Sequence, residues 1–146
     1  MSVAEALTVP GTLPRAAGIR AVGIDIVDVE RLRAMTERRG QRLAERFLTV
    51  NELALCDGAS PRHRASRMAG RIAAKEAVRK ALGGHGEGLS WRDVEIGREA
   101  SGAPAPRLTG RAAEAFRRAG YSGLHVSISH EAGVAVAIAV AVAVAD

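Results

Sequence analysis

Residues 124–145, LHVSISHEAGVAVAIAVAVAVA, contain the clearest structural signal in this chain. Apolar and polar residues alternate from Leu124 to Ser129, and Val or Ile alternates with Ala from Val134 to Ala145. A period of two residues predicts β-strands. The short segment Glu131-Ala132-Gly133 separates the two runs as a turn. The pattern therefore predicts two neighbouring antiparallel strands at the end of the chain.

The last of these strands has two apolar faces. Val and Ile side chains occupy one face, and alanines occupy the other. A face made of alanines is smooth enough for a helix to pack closely against it. Because a strand that is apolar on both faces is normally covered on both, we expect a long helix on the alanine face. The branched face then needs a second cover, for which another subunit is one candidate.

The rest of the chain completes an α+β pattern. Its predicted elements are a strand over 21–27, a helix capped by Asp28, a long helix over 65–82 that ends at Gly83, a hairpin that pairs 94–96 with 107–108, and a helix over 110–119. We predict a mainly antiparallel sheet packed on the long helix. Residues 1–18 are interpreted as a flexible N-terminal extension, and residues 19–146 as one domain.

Composition narrows the classes of protein and partner. The formal net charge of +5 indicates anionic partners. Nucleic acid is disfavoured because the few aromatic residues do not interleave with the basic ones. The single cysteine, Cys56, excludes an intrachain disulfide and favours a reducing compartment. The apolar run from Val134 to Ala145 is shorter than the roughly 20 residues that a membrane span needs. We therefore expect a cytoplasmic protein that does not associate with a membrane.

Two carboxylates lie in apolar surroundings. Asp25 interrupts the β-branched run Ile24-Asp25-Ile26, and Glu76 lies in an alanine-rich helical segment. Ionised carboxylates are seldom left in such places without a partner or a metal. Two converging carboxylates form an oxygen-only site suited to Mg²⁺ beside a phosphate. The ordinary alternatives are a turn carboxylate for Asp25 and an exposed ion pair with Lys80 for Glu76.

Two further groups of side chains suit phosphate binding. A basic stripe on the long helix contains Arg71, Lys75 and Arg79, and a polar row on the strand 124–129 contains His125, Ser127 and Ser129. Each group has an ordinary alternative as a solvated surface. Together with the carboxylates and Lys80, they form an inventory suited to attack on a phosphate or pyrophosphate, where positioning and charge neutralisation carry most of the catalysis.

Four segments, in this order, resemble the holo-acyl-carrier-protein synthase family of small 4′-phosphopantetheinyl transferases. They are VGIDIV at 22–27, RFLT at 46–49 with Glu52-Leu53, GRIAAKEA at 70–77 with KALG at 80–83, and HVSISH at 125–130. The resemblance covers residues 21–146. It implies the 4′-phosphopantetheinyl transferase fold, and transfer of the phosphopantetheine arm of coenzyme A to a serine of an apo acyl carrier protein with release of 3′,5′-ADP.

The resemblance also implies roles for particular residues. Asp25 and Glu76 match the Mg²⁺ ligands of the family, and Lys80 matches its active-site lysine; all three are expected to be catalytic. The coenzyme A-binding residues are expected to be Arg71, Lys75, Lys80, His125 and Ser127. Arg31 and Arg38 match positions that present basic residues to the acidic carrier. The family typically forms trimers with active sites between subunits.

The chain departs from the family pattern at two positions within the domain. Ile72 stands where Phe is common, and Ala103 stands where a lysine often lies between Gly and Pro. Two other classes of function remain as alternatives. A basic binding module would need no metal and would bind in a strongly salt-dependent way, and a metal-dependent nucleotide hydrolase would turn over without a carrier protein.

Overall fold

A computed structural model describes residues 18–58 and 60–144, and these residues form five strands and five α-helices. The strands are β1 (Gly18–Asp28), β2 (Val94–Arg98), β3 (Pro104–Leu108), β4 (Gly123–Glu131) and β5 (Val134–Ala143). The helices are α1 (Val29–Arg39), α2 (Gln41–Phe47), α3 (Val50–Cys56), α4 (Pro61–Leu82) and α5 (Gly110–Arg118). The predicted extension 1–18 lies outside the described residues, except for Gly18.

The main sheet has the strand order β1-β5-β4, with both strand pairs antiparallel. The final alternating strand is therefore the central one. Its pairings align three rows across the sheet: Val22–Val140–His125, Ile24–Ile138–Ser127 and Ile26–Val136–Ser129. Strands β2 and β3 form a separate antiparallel hairpin, as predicted. The predicted α+β fold with a mainly antiparallel sheet is confirmed.

The alanine face of β5 packs on α4, the 22-residue helix, as the pattern predicted. Ala137 and Ala139 of the strand belong to one buried cluster with Ala73, Ala74 and Ala77 of the helix. The contact between helix and sheet is thus made mainly of methyl groups. Small side chains on both surfaces allow the two backbones to approach closely.

Gly23 marks the closest approach of β1 to α4. A Cβ atom at this position would lie 1.8 Å from the carbonyl oxygen of Ala77. No side chain can be accommodated at that distance without moving the backbone. Glycine at position 23 therefore lets β1 lie directly on α4, and Asp25 follows two residues later on the same face of the strand.

The opposite face of the sheet is open in the single chain. Ile24 is 60% exposed and Ile26 is 62% exposed, although both are large apolar residues on a central part of β1. The rows defined above place Ile138 and the polar side chains of β4 on this face as well. The sequence pattern predicted a cover for the branched face, and the described residues of one chain do not supply it.

The segment between β1 and α4 differs from the prediction. The predicted helix capped by Asp28 is α1, which ends at Gly40, where φ is 69°, and α2 follows as a separate helix. Helix α3 was not predicted, although Thr49 and Glu52 form a capping box at its start. Helix α4 begins at Pro61 instead of residue 65, because the Ser60 hydroxyl accepts a hydrogen bond from the His63 amide and caps it.

Among the described residues, none of the helices has the length and apolar character needed to span a bilayer.

Candidate active site

Asp25 and Lys80 meet where β1 crosses the C-terminal half of α4. Lys80 Nζ lies 3.1 Å from Asp25 Oδ1 and donates a hydrogen bond to the carbonyl oxygen of Ile24 at 2.9 Å. The side chain of Asp25 is 20% exposed, and that of Lys80 is 50% exposed. The pair therefore lies at the edge of the helix–sheet interface, where solvent and a ligand can reach it.

Glu76 lies one turn before Lys80 on the same face of α4. Its Oε2 atom is buried and lacks a hydrogen-bond partner among the described residues, and Arg79 Nη1 lies 3.6 Å away. The alternative of a simple Glu76–Lys80 ion pair is not realised, because Lys80 reaches across to β1. A buried carboxylate oxygen without a hydrogen bond is costly unless a ligand compensates.

The donor set suits Mg²⁺ held together with a phosphorylated ligand. Within residues 18–58 and 60–144, no cluster of three or more His, Cys, Asp or Glu side chains could hold a metal alone. Mg²⁺ commonly uses one or two carboxylates and completes its coordination with water and substrate phosphates. Glu76, whose Oε2 accepts no hydrogen bond from the described residues, and Asp25 on the adjacent strand are the two carboxylates that would hold the ion.

The polar row of β4 lies on the other side of the sheet. His125 and Ser127 pair in register with Val140 and Ile138, whose side chains point away from α4. The side chains of His125 and Ser127 are exposed. Asp25 pairs with Ala137, which is buried against the helix. In a single chain, the sheet therefore separates the polar row from the carboxylates and Lys80.

Lys75, which was predicted to bind coenzyme A, lies in the interior of the chain, and its contact with coenzyme A stays a prediction. Lys75 is 2% exposed, and its ammonium lies 2.5 Å from Oε1 of the buried Glu52. It also donates hydrogen bonds to the carbonyl oxygens of Phe47 at 2.7 Å and Trp91 at 2.9 Å. Burial lowers the pKa of Lys75, and the adjacent Glu52 carboxylate opposes that shift. All three ammonium protons have protein partners.

Arg71 lies one turn from Lys75, on the side of α4 that faces β2. It is 6% exposed, and its Nε donates to the carbonyl oxygen of Ile96 at 3.1 Å. The structure thus separates Arg71 from Asp25 and Lys80. Its predicted contact with a coenzyme A phosphate stays a prediction.

Arg31 and Arg38 are exposed on α1, two helical turns apart. Arg31 borders an apolar groove of about 440 Å³ between α1, α4 and the end of β1. Its apolar lining includes Ile26, Leu32, Met35, Phe47, Ile72 and Val134. Ile72, one of the two departures from the family pattern, therefore helps to shape a groove beside the predicted carrier-binding arginines.

Residues 21–139 match the 4′-phosphopantetheinyl transferase superfamily. The chain belongs to this family. The holo-[acyl-carrier-protein] synthase of Gloeobacter violaceus is 44% identical over 118 residues, which cover 81% of this chain and 89% of that protein. The Streptomyces griseus holo-[acyl-carrier-protein] synthase is 46% identical over 117 residues, covering 80% of this chain and 93% of that protein.

A solved structure gives the same assignment. The crystal structure of Helicobacter pylori holo-[acyl-carrier-protein] synthase in complex with coenzyme A superposes with a TM-score of 0.68 at 35% identity, covering 82% of this chain and 98% of that one. These matches confirm the predicted phosphopantetheinyl transferase fold and enzyme class.

Proposed function

We propose that the protein transfers the 4′-phosphopantetheine group of coenzyme A to a serine of an apo acyl carrier protein, in a Mg²⁺-dependent reaction that releases 3′,5′-ADP. The observation that carries the proposal is the meeting of Asp25 and Lys80 one helical turn from Glu76, whose buried Oε2 accepts no hydrogen bond from the described residues. The named activity of the relatives and the coenzyme A bound to the H. pylori enzyme support it.

In this proposal, Asp25 and Glu76 hold Mg²⁺, and Lys80 contacts the pyrophosphate of coenzyme A. When bound, Mg²⁺ would neutralise negative charge on the pyrophosphate. Glu76 also accepts the proton of the carrier serine, whose oxygen forms a bond to the β-phosphorus. The bond from that phosphorus to the bridging oxygen breaks, and 3′,5′-ADP leaves with the electron pair. Lys80 stabilises the charge of this leaving group.

The proposed binding site for coenzyme A includes residues from two copies of the chain. One copy supplies Asp25, Glu76 and Lys80, and the other supplies His125 and Ser127 from its open sheet face. This arrangement is supported by two observations: the polar row and the carboxylates lie on opposite faces of one sheet, and the polar row is continuous with exposed apolar residues. We infer a homotrimer, the assembly typical of the family that this chain resembles.

Arg31 and Arg38 are proposed to dock the acidic carrier. Both are exposed on α1, and Arg31 adjoins the apolar groove that includes Ile72. Exposed charges at the rim of an interface steer the association of two proteins. The apolar groove could bind an apolar side chain of the carrier. Docking here would bring the carrier serine towards Asp25, which lies on the strand that leads into α1.

The test is to incubate the protein with coenzyme A, Mg²⁺ and an apo acyl carrier protein, and to measure the mass of the carrier and the nucleotide product. We expect the carrier to gain phosphopantetheine, 3′,5′-ADP to appear, and EDTA to stop both. Binding to the carrier without any mass change would indicate a binding module instead. Nucleotide hydrolysis that does not need a carrier would indicate a hydrolase.

A further inference from the structure

The buried ion pair between Lys75 and Glu52 has no part in the reaction described above. The two side chains are 1% and 0% exposed, and Nζ lies 2.5 Å from Oε1. Lysine and glutamate are almost never fully buried unless they are paired. A pair at this depth, immediately before Glu76 in the chain, needs an explanation.

The pair belongs to a hydrogen-bond network that joins four segments. Lys75 donates to Phe47 at the end of α2 and to Trp91 just before β2. The Glu52 carboxylate accepts from the Thr49 amide and the Ile96 amide, each at 3.0 Å. Arg71 donates to the carbonyl oxygen of the same Ile96. The network thus ties α4 to the start of α3 and to both backbone groups of one residue of β2.

The other face of α4 is fixed by few directional contacts, which include the hydrogen bonds that Lys80 donates to β1. That face contacts the sheet mainly through alanines, and contacts between methyl groups change gradually when a helix turns or slides. Directional hydrogen bonds are much less tolerant of such a change. Successive helical residues are separated by about 100°, so fixing Lys75 on its carbonyl acceptors also fixes the direction of Glu76 and of Lys80.

We propose that Lys75 and Glu52 are positioning residues, which hold α4 in the rotation that directs Glu76 and Lys80 towards Asp25. The inference rests on the proposed function for the roles of those three residues. Lys75 and Glu52 themselves contact neither substrate nor metal. Their contribution is to keep the Glu76 carboxylate within reach of Mg²⁺ and of the carrier serine.

The experiment compares Lys75→Met, the double variant Glu52→Gln/Lys75→Met, and a matched control, Glu114→Gln/Arg118→Met. The single variant breaks the pair and leaves a buried charge, whereas the double variant removes both charges with side chains of similar size. The control removes the same charges from an exposed ion pair on α5. Folding is checked by circular dichroism, and all assays are run well below the unfolding midpoint.

Two quantities are measured for each protein. The first is the affinity for Mn²⁺, as a probe for Mg²⁺, in the presence of coenzyme A, measured by electron paramagnetic resonance. The second is kcat at saturating carrier and coenzyme A. Loss of supporting residues around a metal site typically lowers metal affinity or activity by about 10- to 100-fold. We expect a decrease of about 10-fold or more in both quantities for the folded double variant, and wild-type values for the control.

A purely structural role gives a different result. In that case the double variant would unfold more easily, yet its folded fraction would bind Mn²⁺ and turn over like the wild type, which would overturn the proposal. A double variant that never folds would assign the pair to folding alone and would overturn it as well. Failure of the proposed function is distinguishable, because the wild-type protein itself would then transfer nothing, while the Mn²⁺ measurement still tests the positioning.

Discussion

Replacing Asp25 or Glu76 by the corresponding amide removes the negative charge with almost no change in the shape of the side chain. Such variants test the charge without disturbing the packing. We expect Asp25→Asn and Glu76→Gln to lower the rate of carrier modification by about 100-fold or more, because each removes a charge that acts on the developing transition state. The fold should persist, since Lys80 keeps its contact with the carbonyl of Ile24. Mass spectrometry of the carrier measures the rate, and circular dichroism checks the fold.

The control for these variants is Glu114→Gln, which neutralises an exposed carboxylate on α5. It should transfer at the wild-type rate. Near-normal turnover in either Asp25→Asn or Glu76→Gln would remove the proposed metal site.

Cys56 provides a prediction about pH. Its side chain is 0% exposed, and burial raises the pKa of the thiol. Because the folded state favours the protonated thiol, the contribution of Cys56 to stability is complete below the ordinary thiol pKa of about 8.5 and is lost as the pH rises. The stability difference between wild type and Cys56→Ala in urea unfolding should therefore be smaller at pH 10 than at pH 7.

A reagent that labels thiolates provides an independent readout of the same residue. Cys56 should resist labelling in the native protein and react in urea. Fast native labelling, or a stability difference that grows with pH, would contradict the burial seen here.

At the scale of residues, the sequence singled out Asp25, Glu76 and Lys80, but it did not indicate that Lys80 reaches Asp25 or that Lys75 is buried. Arg71, Lys75 and Arg79 follow one another at intervals of four, the spacing of an exposed charged stripe. Nothing in that spacing reveals that Glu52, on another helix, pairs with Lys75. The available signal was the capping box of Thr49 and Glu52, which fixes the start of α3.

At the scale of elements, the polar row of β4 can be tested with a substrate that lacks one phosphate. We expect His125→Ala to raise the KM for coenzyme A more than that for 3′-dephospho-coenzyme A, because the second substrate has no 3′-phosphate contact to lose. His130→Ala is the matched control, since His130 follows the polar row on the same strand but contacts the carbonyl of Ser66 on α4. Equal effects of His125→Ala on both substrates would place His125 outside the phosphate site.

Helix α1 can be tested by reversing charge. Arg31→Glu and Arg38→Glu should raise the KM for an acidic carrier and weaken its dependence on salt, because both side chains lie exposed on the proposed docking helix. The KM for coenzyme A should change little. Arg118→Glu, exposed on α5, is the control. Carrier kinetics at low salt that match the wild type would show that docking uses another surface.

Secondary-structure elements with a strict hydrophobic period could be predicted from the sequence. Boundaries that depend on the conformation of a single residue could not. The alternation of β5 indicated its alanine face and hence its contact with α4. The division between α1 and α2 depends on one backbone angle at Gly40, and a short helix such as α3 carries too few residues to show a period. Local capping decides these boundaries more than hydrophobic pattern does.

At the scale of the whole molecule, the open sheet face predicts assembly. Ile24 and Ile138 are register partners on β1 and β5 and lie side by side at the centre of this face. Several large apolar residues beside them are exposed in one chain. We expect Ile24→Asp and Ile138→Asp to convert a trimer into monomers and to abolish transfer together. Val50→Asp is the control, because Val50 is 82% exposed but lies on α3, away from the sheet. Analytical ultracentrifugation measures the mass of each protein.

Mixing two impaired variants tests whether the site is shared between copies. Asp25→Asn removes a group from the α4 face, and His125→Ala removes one from the open face of the same sheet. If each site joins these faces from different subunits, trimers reassembled from both variants contain some sites with Asp25 and His125 intact. Activity should then reappear on mixing at coenzyme A concentrations below the KM. A site complete within one chain predicts no recovery, and a fully active wild-type monomer would likewise contradict the shared site.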